Sequence, residues 1–246
     1  MANSTSTTPD YGIDAPNVLR NLLVFGALCL AVAIFAPPFI HLGPVTLDSR
    51  SFYWPAGFLI GEGLLYLVYV KVGKFRHRDR MLALYDWRGD EQVLDIGCGR
   101  GLLLVGAAKH LTTGRASGID IWSKVDLSGN SIEATQHNLQ LEGVTDRCTL
   151  ISEGAQKMSF PDATFDVILS NLCIHNIYDM KTRHQALSEI VRVLKPGGTA
   201  IVSDYKRTSE YADRFRAAGL DVERKSANWF TTFPPLTIVV ARKPVL

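Results

Sequence analysis

Two stretches in the first third of the chain are apolar almost without interruption. From Leu22 to Ala36 there is no charged residue, and Phe39 and Ile40 carry the run past Pro37-Pro38. From Ser51 to Val70 the only charge is Glu62. Beyond Met81 the pattern changes to short apolar runs alternating with amphipathic ones. Val93–Ile96 reads as a strand, Leu102–Leu111 as a helix and Ala116–Asp120 as a second strand. A helix follows over Ser131–Leu141, with Ser131 and Glu133 as start signals and Gly143 as its stop. Cys148–Ser152 is the third strand. Phe165–Ser170 is the fourth, and its continuous Val167–Leu169 core suits a strand covered on both faces. Lys181–Leu194 places Ala186, Ile190, Val191 and Leu194 on one helical stripe. Pro196-Gly197-Gly198 ends it, because proline cannot continue the helix and glycine suits the turn. Thr199–Ser203, a helix over Tyr211–Ala218 closed by Gly219, and two strands near Val222–Trp229 and Leu236–Ala241 complete the chain. Strands alternating with helices predict an α/β domain with a mostly parallel sheet.

The junction Asp95-Ile96-Gly97-Cys98-Gly99-Arg100-Gly101 carries the chemistry. Glycines here let the turn take positive φ and let a ligand lie against bare backbone. Asp95 closes the first strand, at the carboxyl edge where open α/β sheets bind ligands. A dinucleotide fingerprint would need glycine at the position of Leu102. A P-loop is excluded, since no Gly-Lys-Ser/Thr follows. The bland alternative is an ordinary tight strand-to-helix turn. Asp120 ends the second strand 25 positions after Asp95, near the ~20-residue spacing of a ribose-binding acid. Its other reading is a helix cap or turn residue. The polar stretch Ser123–Asn130 is long for a strand-to-helix link and is expected to fold over a bound ligand.

Asp95-x-Gly97-x-Gly99-x-Gly101 resembles motif I of the class I methyltransferases that use S-adenosylmethionine. Phe160-Pro161-Asp162 with Phe165-Asp166, and Arg192-Val193-Leu194-Lys195-Pro196-Gly197-Gly198, are also similar to that family. The resemblance covers residues 81–246. It implies a Rossmann-like methyltransferase fold, a seven-stranded mostly parallel sheet with helices on both faces. It also implies S-adenosylmethionine held by Asp95, Gly97, Cys98, Gly99, Gly101 and Asp120. Ile121 and Trp122 would flank the adenine, Gly154 and the Ala155 amide would contact it, and Asn171 and Leu172 would lie on the loop bordering the methyl group. The family often has Gly-Asp-Ala where this chain has Glu153-Gly154-Ala155, with the acid one position out of register. His175 is the candidate general base, because its side chain titrates near neutrality. The competing reading is a structural histidine bonded to a local carbonyl. Tyr178, Asp204 and Tyr205 are further candidates at strand ends. No metal site is expected. Cys173 on the same loop keeps arsenite methylation as an alternative, although no cysteine follows it. A non-catalytic cofactor-binding module is the other.

The first 80 residues differ in kind. Both apolar runs are near the ~20 residues that cross a bilayer core. Residues 18–72 are expected to form a transmembrane hairpin, after a disordered Ser/Thr-rich segment over 1–17 and before a basic linker over 73–80. A cleaved signal peptide and a pair of buried soluble helices are the rivals. Lys71, Lys74, Arg76, Arg78 and Arg80 follow the second run, which places both chain ends in the cytoplasm by the positive-inside bias. Glu62 is costly in lipid and faces protein, water or a partner. A net charge of +2 gives no case for nucleic acid. Cys29, Cys98, Cys148 and Cys173 show no disulfide or metal spacing. The reading is therefore a multi-pass membrane-tethered methyltransferase acting on a small or lipid-soluble acceptor, with oligomer contacts available to the hairpin.

Overall fold

The computed structural model describes residues 7–226 and 232–245. The part beyond Met81 is built on a seven-stranded sheet in the order β5-β4-β3-β6-β7-β9-β8. Its strands are β3 (Gln92–Ile96), β4 (Arg115–Asp120), β5 (Cys148–Ser152), β6 (Phe165–Asn171), β7 (Leu194–Asp204), β8 (Asp221–Lys225) and β9 (Thr237–Arg242). The first five are mutually parallel, and β9 runs antiparallel between β7 and β8. Strand order reverses between β3 and β6, which opens a crevice at their carboxyl ends. Side-chain alternation splits the core. Leu94, Ile96 and Ile168 pack with Ala186 and Ile190 of α6 (Met180–Val193) and Tyr211 and Phe215 of α7 (Thr208–Ala217). Val93, Val167 and Leu169 face the other way, onto α4 (Leu102–Ala108), α5 (Ile132–Leu141) and the end of α3 (Lys74–Leu82). Successive residues of a strand point to opposite faces, so the apolar run Val167–Leu169 serves both layers. The second of the two final strands spans Thr237–Arg242; Trp229, the far end of the other as read from sequence, lies outside the described residues.

Ahead of this domain stands a helical hairpin. Helix α1 (Pro16–Phe35) has 20 residues, a length of about 30 Å. A two-stranded tip, β1 (Phe39–Leu42) and β2 (Val45–Asp48), reverses the chain. Helix α2 (Tyr53–Val68) returns and passes through a π turn, Tyr69–Gly73, straight into α3. Missing side chains let the two helices approach. A Cβ on Gly26 would lie 2.8 Å from Ile60, and one on Gly63 would lie 2.6 Å from Leu23. The outer faces are apolar: Phe25, Leu28, Phe35, Phe58, Leu64, Leu65 and Val68 are all exposed. No residue between Val24 and Leu65 enters any of the three apolar cores. Pro16–Phe35 and Ser49–Leu82 are long and apolar enough to cross a membrane.

Two expectations are corrected. Residues 10–17 are ordered. Asp10–Ala15 form a strap across the carboxyl edge of the sheet, and Tyr11 is buried with its hydroxyl on Glu142 at 2.6 Å. Residues 73–80 are no linker. They belong to the π turn and to α3, with Lys74 and His77 buried against the domain. Tertiary contacts from residues more than fifty positions away supply this order, and local composition carries no trace of them.

Candidate active site

The glycine turn sits between β3 and α4. Gly97, Gly99 and Gly101 take φ of 71°, 53° and 86°, values that cost a side-chain-bearing residue. Space is short as well. A Cβ on Gly97 would lie 2.3 Å from Cys173 Sγ, and one on Gly99 would lie 2.8 Å from Leu127. The turn is tied down from both sides. Gly97 N and Cys98 N donate to Ile119 O, Thr135 Oγ1 donates to Gly99 O at 2.7 Å, and Asn138 Nδ2 donates to Arg100 O at 2.8 Å. Asp120, at the end of β4, accepts from Gly99 N at 2.8 Å and from Trp122 N and Asn130 Nδ2. The expected ribose acid is thus also the clamp of the glycine turn.

Asp95 is buried, and its Oδ2 has no hydrogen-bond partner. Burial, with the Asp120 charge adding to it, pushes its pKa up to about 8. A buried carboxylate oxygen without a donor is costly, and a ligand cation placed there would relieve it. The Oδ1 of Asn171, at the end of β6, is likewise buried and unpartnered.

A cleft joins Asp95, Gly97, Cys98, Gly99 and Asn171 to residues that the motifs did not indicate: Tyr11, Asp14, Tyr69, Lys74, Arg78 and Leu127. The strap forms its roof. Lys74 Nζ donates to Tyr11 O at 3.0 Å and Gly12 O at 2.6 Å and lies 3.8 Å from Asp14. Burial lowers the Lys74 pKa and raises that of Asp14. Ile13 exchanges hydrogen bonds with Ser128, and Arg100 pairs with Asp10 at 2.8 Å. The Ser123–Asn130 stretch is therefore held by the strap. Of these residues Lys74 and Arg78 stood out in the sequence, as two of a basic run; nothing marked their place in the cleft.

The adenine-side candidates do not line this cleft. Trp122 Nε1 donates to Ser152 Oγ at 2.7 Å, and Ile121 points outward. Ala155 is packed in the core beside Met158, and the Gln156 side chain lies over Gly154. Glu153 accepts from Ser159 N, which makes it a turn brace.

On the methyl-side loop, Leu172 takes φ of 53° and donates its N–H to Ser203 O. His175 is buried. Its N–H donates to Asp204 Oδ2 at 3.1 Å, and its ring Nδ1 lies 2.8 Å from Asp204 Oδ1, without the alignment of a hydrogen bond. Asp204 is fully buried and also accepts from Tyr211 OH and Tyr205 N. Tyr205 packs edge-on against the imidazole at 4.8 Å. The carboxylate behind the ring can orient it. Tyr178 is exposed. A second buried histidine, His77, bonds Ser203 Oγ at 2.7 Å, and burial lowers its pKa to about 4. It is neutral at physiological pH. Burial raises the thiol pKa values of Cys98 and Cys173, so neither is a thiolate. Among the described residues no group of three or more metal-ligating side chains forms.

Residues 94–202 match a family model described as a methyltransferase domain. Over this part the chain resembles methyltransferase domains. Two curated relatives illustrate the range. Sterol 4-C-methyltransferase of Caenorhabditis elegans is 34% identical over 118 residues, 48% of this chain and 32% of the relative. Demethylmenaquinone methyltransferase of Symbiobacterium thermophilum is 32% identical over 161 residues, 65% of this chain and 57% of the relative. The chain thus spans between about a third and just over half of these relatives' length. Among solved structures, the N-methyltransferase NodS of Bradyrhizobium japonicum, in complex with S-adenosyl-L-homocysteine, superposes with a TM-score of 0.58 at 17% identity, over 72% of this chain and 88% of NodS. The [4+2]-cyclase SpnF gives 0.59 at 17% identity over 96% and 100%. A cyclase on the same fold shows why the architecture alone does not fix the reaction.

The residues present suit the cofactor. The glycine cradle admits no side chain, Asp120 offers a carboxylate at the ribose position, and the orphan Asp95 oxygen suits the ammonium of the methionine moiety. When bound, S-adenosylmethionine supplies an electrophilic methyl group. With that group bound, the chain would have to orient the acceptor and exclude water, and His175 would be the candidate to take a proton from an acceptor that must lose one.

Proposed function

We propose that the chain is a membrane-tethered methyltransferase whose acceptor is a lipid-soluble molecule reached from the bilayer. One observation carries the reading. Leu172, on the loop bordering the methyl position, packs against the apolar cluster at the hairpin base, Leu19, Tyr66, Tyr69 and Val70. Apolar contact is therefore continuous from the helices to the edge of the site. The hairpin itself supports the membrane assignment, because its outer faces are apolar all round and enter none of the cores. A core helix of a soluble protein would be covered on one side at least. The two relatives named above act on a sterol and on demethylmenaquinone, acceptors of this solubility class. Tethering raises the local concentration of such acceptors without a dedicated recognition domain.

The hairpin reading has α1 and α2 crossing together, with the tip on the far side and both chain ends in the cytoplasm. Carbonate washing should leave the full-length protein in the membrane pellet. A cysteine at Gly43 in the tip should label from the non-cytoplasmic side. Release by carbonate, or labelling of Gly43→Cys from the cytoplasmic side alone, would overturn it. The second reading, cofactor binding without catalysis, has the SpnF likeness and the displaced Glu153 in its favour. The intact Asp95, glycine turn and Asp120 favour transfer.

A further inference from the structure

Beyond the cleft, the loops at the carboxyl edge of the sheet carry exposed apolar and basic side chains side by side. Val125 is 70% exposed, Tyr178 77% and Met180 62%. Lys124 is the exposed neighbour of Val125, and Lys181 that of Met180. Lys206 Nζ lies 5.0 Å from the ring centroid of Tyr205 and 6.0 Å from that of Tyr178. Ammonium and aromatic rings there form a single patch. Large aliphatic and aromatic groups interleaved with lysine suit the headgroup region of an anionic bilayer better than bulk water. Three carboxylates oppose the lysines. Asp126 is exposed, Glu133 lies at the start of α5 within the field of Lys124, and Asp179 is engaged as the cap of α6, accepting from Thr182 N at 2.7 Å.

The hairpin leaves the domain from the same edge. Ala15 N, one residue before α1 starts at Pro16, donates to Asp126 O at 2.8 Å, and Asp14 bridges Leu127. On the other side, Leu172 meets the end of α2 and the π turn. Arg20 and Lys71, exposed at the hairpin base, mark the level of a membrane surface there. A bilayer enclosing α1 and α2 would have its cytoplasmic face at the height of these loops.

We propose that the loops carrying Lys124–Val125, Tyr178–Lys181 and Tyr205–Lys206 form a docking face for an anionic lipid surface, turning the mouth of the acceptor site onto the bilayer. This rests on the hairpin crossing the membrane. Docking holds the domain face-down, so an acceptor moves from lipid to site without crossing water.

The test uses full-length protein in nanodiscs of phosphatidylcholine with or without phosphatidylglycerol. An environment-sensitive fluorescent amino acid replaces Val125, Met180, Phe35 or Glu223, one at a time, and lipids spin-labelled near the headgroup serve as quenchers. Expected are blue-shifted, quenched emission at Val125 and Met180, several-fold stronger with phosphatidylglycerol, and none at Glu223 on β8. The triple variant Lys124→Glu, Lys181→Glu, Lys206→Glu should lose that lipid dependence while Phe35 stays in lipid. Phe35 in lipid with Val125 and Met180 in water would overturn the docking face and leave the hairpin intact. Phe35 in water would remove the hairpin reading and this proposal with it. Phosphatidylglycerol dependence surviving in the triple variant would also count against it.

Discussion

Asp95 offers the sharpest prediction, because its burial has a sign and a size. Its folded pKa of about 8 stands above the ordinary 3.8. A carboxyl raised in this way stabilises the fold fully at low pH and loses that contribution as pH rises towards 8. Between pH 5 and pH 8 the folded state keeps a proton that the unfolded chain has released. Three pH units at 1.36 kcal/mol each give about 4 kcal/mol. Asp95→Asn keeps the shape and never ionises. Its stability advantage over wild type should grow by about 4 kcal/mol between pH 5 and pH 9, or about 8–16 °C in Tm for a domain of this size. The same variant should bind S-adenosylmethionine more weakly by about 1.5–3 kcal/mol at pH 8, the usual worth of a hydrogen bond to a charged group. Thermal unfolding at both pH values and calorimetric titration read the two effects. A stability difference that is the same at pH 5 and pH 9 would refute the burial argument. Unchanged cofactor affinity would refute the assignment of the orphan oxygen to the ammonium.

Other expectations follow from the same geometry. Asp120→Ala should weaken cofactor binding by about 1.5–3 kcal/mol, and it should loosen the glycine turn, visible as faster amide exchange at Gly99. Gly97→Ala should abolish binding, since its methyl would meet Cys173 in a backbone conformation alanine avoids; cofactor affinity near wild type in calorimetry would contradict this. If His175 takes a proton, His175→Ala should lower turnover ~10²–10⁴-fold with cofactor affinity nearly intact, and Asp204→Ala, which removes the carboxylate beside the ring, should lower it too; activity close to wild type would return His175 to a structural role. Lys74→Met should release the strap, read as increased protease cleavage within residues 10–15, whereas unchanged cleavage would show that the strap is held elsewhere.

Much of the sheet was legible in the sequence because its signals are local. Cys148–Ser152 is a short β-prone run that forms one strand, and Ser131 caps α5 by accepting from Ala134 N at 3.2 Å. The glycine turn was legible because no other residue takes those φ values without cost. The strap was not. Polar and proline-containing, residues 10–17 read as disordered, yet Tyr11, Ile13 and Asp14 are held by Glu142, Ser128 and Lys74. Lys74 and His77 read as part of a solvated basic linker for the same reason: their burial comes from distant partners. Asp204 behind His175 was visible only as another strand-end acid, since nothing in the sequence fixes their 29-residue separation as a contact. The adenine side was read from resemblance, and there the chain's own contacts point Trp122 and Glu153 at Ser152 and Ser159.

The central claim is transfer of a methyl group to a lipid-soluble acceptor. It is tested most directly by incubating full-length protein in its native membranes with S-adenosylmethionine radiolabelled on the methyl carbon, then partitioning the products. Label is expected in the organic-solvent extract, reduced with Asp120→Ala and absent with Gly99→Val. Label confined to protein or to water-soluble products, or no label above the variants, would contradict it.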